Sequence, residues 1–82
     1  MAYVELTKEN FEETITDNDM VIVDFWAEWC GPCKMFGPIF EKVSEDYPNA
    51  VFAKVNTESE PEIAGWFQIR SIPTLMLFRE NI

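Results

Sequence analysis

The chain has 82 residues, which allows a single domain with a modest hydrophobic core. Fifteen acidic and six basic side chains give a formal net charge of −9, which argues against binding to nucleic acid or to anionic membranes. Hydrophobic residues make up 48% of the sequence, as in folded soluble proteins. No run approaches the ~20 apolar residues of a membrane span, and the first residues lack a secretion signal, so we expect a cytoplasmic protein.

The first third of the sequence predicts a strand, a helix and a second strand. Residues 3–6 favour a short strand, and Thr7 is a suitable N-cap for a helix over residues 8–15. Residues 21–26 are apolar on both faces except at Asp24. This pattern is typical of a central strand in a sheet that is covered by helices.

Asp24 interrupts this apolar strand. It lies two residues after Ile22 and two before Trp26, so the three side chains share one face and the carboxyl is expected to be buried. Burial without a neighbouring cation raises the pKa of a carboxyl group. The sequence therefore predicts a buried acid with a raised pKa in the middle of the sheet.

Both cysteines lie where the second strand gives way to a helix. Helical spacing begins after Pro32, so Cys30 should sit at the helix start, where unpaired N–H groups and the macrodipole favour a thiolate. Cys33 lies almost one turn further on, within reach of a disulfide bond, and we expect it to be more shielded and to stay a neutral thiol. Gly31 would let the backbone of another chain approach closely.

The rest of the sequence continues the alternation of helices and strands. The second helix should extend to about residue 46 and continue, with a kink, across Pro38, because its apolar spacing is unchanged there. Residues 49–55 predict a third strand, and residues 59–67 a capping box followed by a short helix. Residues 74–78 predict a fourth strand. This order is that of an α/β domain.

The segment around the cysteines resembles the active site of the thioredoxin family. The resemblance rests on Asp24-Phe25-Trp26-Ala27, on Trp29-Cys30-Gly31-Pro32-Cys33-Lys34, on Pro38, and on Ile72-Pro73-Thr74. It implies a thioredoxin-like α/β fold, with a mixed central sheet flanked by helices. In that family the fold continues with a fifth strand and a final helix. Because the sequence ends at Ile82, before either element, we expect one truncated thioredoxin-like domain over residues 1–82.

The same resemblance implies a protein-disulfide reductase. The Cys30 thiolate would attack a disulfide of a protein substrate, and Cys33 would then resolve the mixed disulfide. The oxidised pair would be reduced again by an external reductase such as thioredoxin reductase. No bound cofactor is required for this reaction.

Further positions match functional residues of the family. Asp24 matches an aspartate that helps to deprotonate the deeper thiol, and Lys54 matches a lysine near it; alternatively, Asp24 bonds only a backbone amide and Lys54 extends to solvent. Pro73 matches a cis-proline that faces the disulfide, and the backbone of Ile72 would pair with an extended substrate segment. The apolar rim for substrate would consist of Trp29, Gly31, Pro32 and Ile72.

Other interpretations stay open. A closed zinc site needs four N or S ligands, so zinc or an iron–sulfur cluster would have to bridge two subunits through Cys30 and Cys33 of each, because the chain has no histidine. A thioredoxin-like fragment with impaired redox activity is a second alternative.

Residues 74–78 are mostly apolar and lack the expected partner strand on one edge, which predicts self-association through this strand.

Overall fold

The computed structural model describes residues 3–80, in which three helices and four strands alternate. In chain order the elements are β1 (Tyr3–Glu5), α1 (Phe11–Thr16), β2 (Met20–Trp26), α2 (Gly31–Ser44), β3 (Val51–Asn56), α3 (Pro61–Trp66) and β4 (Thr74–Arg79). The predicted order of elements is confirmed, and α2 continues across Pro38.

The four strands form one sheet in the order β1-β3-β2-β4. β3 pairs in parallel with both β1 and β2, whereas β4 runs antiparallel to β2. The sheet is therefore mixed, as expected for a thioredoxin-like α/β fold. β2 is an inner strand, which agrees with its apolar sequence, and its register places Asp24 beside Lys54 of β3.

The two faces of the sheet are covered unequally. Alternate residues of β2, namely Val21, Val23 and Phe25, are fully buried on the face that packs against α1 and α3. The main core on this face comprises Leu6, Ile15, Val21, Val23, Phe25, Ala53, Val55, Ile63 and Phe78. Helix α2 covers the other face, where the rings of Phe40 and Phe52 lie 5.2 Å apart.

Helix α2 leaves part of its face of the sheet open. A groove of about 390 Å³ with an entirely apolar lining runs between α2 and the β2/β4 side of the sheet. Leu75 borders this groove, and both Leu75 and Leu77 are about half exposed on β4.

None of the helices within residues 3–80 is long and apolar enough to cross a bilayer.

Two predicted helix starts are wrong. Helix α1 begins at Phe11, three residues late, because Thr7 and Asn10 exchange hydrogen bonds between their side chains and backbone N–H groups and so form a separate turn. The capping box before α3 is also absent. The side chain of Asn56 accepts hydrogen bonds from the N–H groups of Glu58 and Ser59. Ser59 is thereby held in a turn that ends before the helix.

Candidate redox-active site

Cys30 is the N-cap residue of helix α2. Its backbone is extended (φ −88°, ψ 107°), and its carbonyl oxygen accepts the first helical hydrogen bond from the N–H of Lys34 at 3.1 Å. Pro32 occupies the first turn, where its missing N–H leaves no bond unmade. The predicted position of Cys30 at the start of a helix is thus confirmed.

Cys30 and Cys33 form a disulfide bond, with their Cα atoms 5.2 Å apart. The N–H of Cys33 donates a hydrogen bond to the sulfur of Cys30 at 3.2 Å. A backbone N–H directed at this sulfur would stabilise a thiolate once the bond is reduced. The pair is therefore positioned for thiol–disulfide exchange.

The disulfide form does not show the predicted difference in shielding between the two cysteines. Cys30 is 4% exposed and Cys33 is 3% exposed. Both belong to one buried cluster with Ala27, against which Trp26 and Ile72 pack. The chemical inequality of the two thiols rests instead on the helix start, which lies at Cys30.

The Ile72–Pro73 peptide bond is cis, as the resemblance implied. The carbonyl oxygen of Ile72 lies 3.8 Å from the sulfur of Cys30, so the segment before β4 borders the disulfide directly. Ile72 is half-buried and packs against the buried cluster that contains both cysteines, whereas Pro73 is exposed.

The residues expected to form the apolar rim are at least partly exposed near the start of α2. Gly31 and Pro32 are exposed at the start of α2, and Trp29 is 69% exposed in the loop before it. Trp29 and Ile72 also line a shallow depression of about 330 Å³. Arg70 lines the same depression and places a cation beside the rim; no motif in the sequence singled it out.

Asp24 lies on β2 at the face that α2 covers, and it is 1% exposed. Neither of its carboxyl oxygens makes a hydrogen bond within residues 3–80, so the alternative of a bond to a backbone amide is not supported. Burial raises the pKa of Asp24 to about 6; nearby Lys54 opposes this rise and Glu41 adds to it. The predicted buried acid with a raised pKa is confirmed.

Lys54 does not extend to solvent. Its side chain is 11% exposed, and its ammonium nitrogen lies 2.6 Å from a carboxylate oxygen of Glu41 on α2. Cys33, Lys54 and Glu41 line a common pocket of about 290 Å³ behind the start of α2. Glu41 was missed by the sequence analysis, because only the packing of α2 on the sheet brings it to Lys54.

No group of three or more histidine, cysteine, aspartate or glutamate side chains within the described part of the chain is arranged to hold a metal ion.

Comparison with known proteins identifies the family. The thioredoxin family model matches residues 2–82. A putative thioredoxin 2 of Streptomyces coelicolor is 63% identical over 79 residues, which cover 96% of this chain and 59% of that protein. A thioredoxin of Chlorobaculum thiosulfatiphilum is 49% identical over 79 residues and is covered to 73%.

A solved structure agrees with the sequence matches. The structure of Plasmodium falciparum thioredoxin superposes with a TM-score of 0.92 at 38% identity, covering 96% of this chain and 78% of that one. The chain thus spans about three fifths of the length of the Streptomyces relative and more of the other two. The matched family, the mixed sheet and the disulfide at the start of α2 agree, and the chain belongs to the thioredoxin family.

Proposed function

We propose that the protein is a thiol–disulfide oxidoreductase that reduces disulfide bonds in other proteins. The observation that carries this proposal is the Cys30–Cys33 pair at the start of a 14-residue helix, beside the carbonyl of Ile72. The family match supports it. The partners are disulfide-containing proteins and an external reductase such as thioredoxin reductase, and we place the reaction in the cytoplasm, where thiols are kept reduced.

The reaction begins with the reduced pair. The Cys30 thiolate attacks one sulfur of the substrate disulfide, and the other substrate sulfur leaves as a thiolate. Cys33 then loses its proton and attacks the sulfur of Cys30, so the second substrate thiol is released and the Cys30–Cys33 bond forms. The substrate gains two electrons and two protons, and the external reductase returns the same number to the pair.

Asp24 acts as the proton acceptor for Cys33. With a pKa of about 6, the carboxyl of Asp24 is ionised at neutral pH, yet it is a stronger base than an exposed carboxylate. It lies on β2 as the register partner of Lys54 on β3, and Lys54 shares a pocket with Cys33. Proton transfer through this region would turn the neutral Cys33 thiol into the attacking thiolate.

The rim around the disulfide receives the substrate. An extended segment of the substrate pairs with the backbone of Ile72, while Pro73 offers no N–H in competition. Further exposed surface for the substrate comes from Trp29, Gly31 and Pro32, at and just before the start of α2. Most of the binding contact is therefore backbone and apolar surface, which suits substrates of varied sequence.

The single-cysteine variants test the proposal. Cys30→Ser should abolish insulin reduction in an assay coupled to thioredoxin reductase, whereas Cys33→Ser should attack once and accumulate a mixed disulfide that mass spectrometry detects. Equal adduct formation on both variants would contradict the assigned roles. Bound zinc or iron in the purified native protein, detected by metal analysis, would instead favour the bridged dimer, and an inactive native protein the redox-impaired fragment.

We further propose that the 82-residue chain forms a dimer of two copies through β4. Within residues 3–80 this strand has a free edge and carries two half-exposed leucines, Leu75 and Leu77, the first of which lines the apolar groove. Antiparallel pairing of two copies of β4 uses the same surface on each copy, so it closes as a dimer. The net charge of −9 opposes this contact, and association should therefore strengthen as salt is added.

A further inference from the structure

Lys54 has two neighbouring carboxyl groups, those of Asp24 and Glu41, and within the described residues its ammonium group bonds only that of Glu41. Asp24 and Lys54 are register partners on β2 and β3. The hydrogen bond from Lys54, however, goes to Glu41 of α2 at 2.6 Å, and both oxygens of Asp24 are left without a partner within the described residues. The cation is thus held by the carboxylate that is partly exposed, and not by the one that is buried.

The surroundings of Lys54 hold its side chain in this position. Its ammonium nitrogen lies 4.8 Å from the ring centre of Tyr3 and 5.7 Å from that of Trp26, distances at which a cation is attracted to an aromatic face. A Cβ atom at Gly37 would lie 3.4 Å from the same nitrogen, so α2 approaches the ammonium closely. Glu5 of β1 lines the same pocket.

The charged groups that act on Asp24 come from two neighbouring elements. Burial is the largest effect and raises the pKa of the Asp24 carboxyl; Lys54 on β3 opposes this rise and Glu41 on α2 adds to it. Helix α2 also contributes the Cys33 thiol in the reduced protein, and β4 contributes Leu75, which is uncharged, as the register partner of Asp24. The balance between one cation and one anion therefore sets the field at this carboxyl.

We propose that Glu41 is a positioning residue, which holds the Lys54 ammonium away from Asp24 and so keeps the buried carboxyl a strong enough base to accept the Cys33 proton. This inference rests on the proposed reductase function. It adds a residue on α2 to the proton-transfer apparatus, with Lys54 as the group through which that residue acts.

Removal of the Glu41 charge should weaken Asp24 as a base in two ways. The neighbouring anion no longer raises the pKa of Asp24. The ammonium group of Lys54, released from Glu41, can also turn and bond the carboxyl of Asp24. An opposite charge at close range lowers a carboxyl pKa by roughly 1–3 units, so we expect the pKa of Asp24 to fall by at least about 1 unit in Glu41→Gln. The attack by Cys33 should then slow several-fold at neutral pH.

The first measurement does not depend on activity. A carbon NMR titration of the Asp24 carboxyl in the disulfide form of the 82-residue protein compares the native chain with Glu41→Gln. The matched control is Glu45→Gln, which removes the same charge from an exposed position four residues after Glu41, at the C-cap of α2. Glu41→Asp, which keeps the charge, should restore most of the native titration.

The second measurement follows the Cys33 step. The reduced protein is mixed with the symmetrical disulfide of thionitrobenzoate, so that Cys30 forms a mixed disulfide with one thionitrobenzoate group. The release of this group when Cys33 attacks is recorded by its absorbance across pH. In Glu41→Gln the acid limb of this profile should move to lower pH, together with a lower plateau. In the Lys54→Gln background, Glu41→Gln should have a much smaller effect, because the ammonium through which Glu41 acts is gone.

The proposal is overturned if the Asp24 titration is unchanged in Glu41→Gln, if Glu45→Gln shifts it equally, or if the titration moves while the Cys33 profile does not. A native protein that releases thionitrobenzoate normally but reduces no protein disulfide would refute the proposed function alone. Both measurements would still decide the role of Glu41 in that case.

Discussion

Replacement of Asp24 by asparagine removes a buried charge at nearly constant shape, and it should stabilise the fold in a way that depends on pH. The carboxyl is 1% exposed and makes no hydrogen bond within residues 3–80, and burial raises its pKa from 3.8 to about 6. Between these two values the folded protein binds a proton that the unfolded chain has released. The native protein therefore loses stability as pH rises from about 4 through about 6.

The size of this loss follows from the shift. One pKa unit corresponds to about 1.4 kcal/mol, so a rise of about 2 units lowers the free energy of unfolding by about 3 kcal/mol above pH 7. The Asp24→Asn variant lacks this loss. For a domain of this size, a gain of about 3 kcal/mol should raise the melting temperature by roughly 12–24 °C at neutral pH.

The assay is urea unfolding of the disulfide form, in which the cysteines do not titrate, at several values from about pH 3.5 to pH 8. The quantity of interest is the difference in unfolding free energy between Asp24→Asn and the native chain, which should grow by about 3 kcal/mol across this range. Asp46→Asn removes an exposed carboxylate and should change stability by less than about 0.5 kcal/mol at any pH. If the difference for Asp24→Asn does not vary with pH, the buried charge is not penalised and the argument fails.

Three further outcomes are expected. Asp24→Asn should slow the Cys33 step at least about tenfold while the initial attack by Cys30 changes little; equal single-turnover rates from about pH 6 to 9 in both proteins would leave Asp24 a structural residue. Trp29→Ala should raise the KM for insulin about tenfold with little change in kcat, whereas Trp66→Ala, on α3, should leave KM unaltered. Sedimentation velocity should show a concentration-dependent dimer that Leu77→Lys on β4 abolishes and Val4→Lys on the opposite edge strand does not; a native monomer at every concentration would refute pairing through β4.

The order of the elements could be predicted because each depends on local pattern. The apolar run of β2 and the proline at the start of α2 specify their structures without help from distant residues. The two wrong helix starts arose where side chains compete for the same backbone groups. The side chain of Asn56 accepts hydrogen bonds from the N–H groups of Glu58 and Ser59, and nothing in the sequence of residues 59–62 reveals this competition.

The site was predictable to the extent that it lies within one continuous segment or matches the family. Cys30 and the start of α2 follow from their own sequence, whereas the cis bond before Pro73 came only from the resemblance, since most bonds before proline are trans. The ion pair of Lys54 with Glu41 spans 13 residues and joins a strand to a helix. Its existence depends on how α2 is rotated over the sheet, which no local pattern specifies.

The position of Asp24 also explains how the fold tolerates an ionised group that has no hydrogen-bond partner within residues 3–80. β2 pairs on both sides, and on its opposite face Val21, Val23 and Phe25 are completely buried. Burial of each of these side chains contributes about 1.5–3 kcal/mol, so together they exceed the penalty of about 3 kcal/mol for the carboxylate. An edge strand such as β1, which has three residues of which two are exposed, buries too little apolar surface to offset such a penalty. A buried base is therefore sustainable on β2, the strand whose end leads directly to the cysteines.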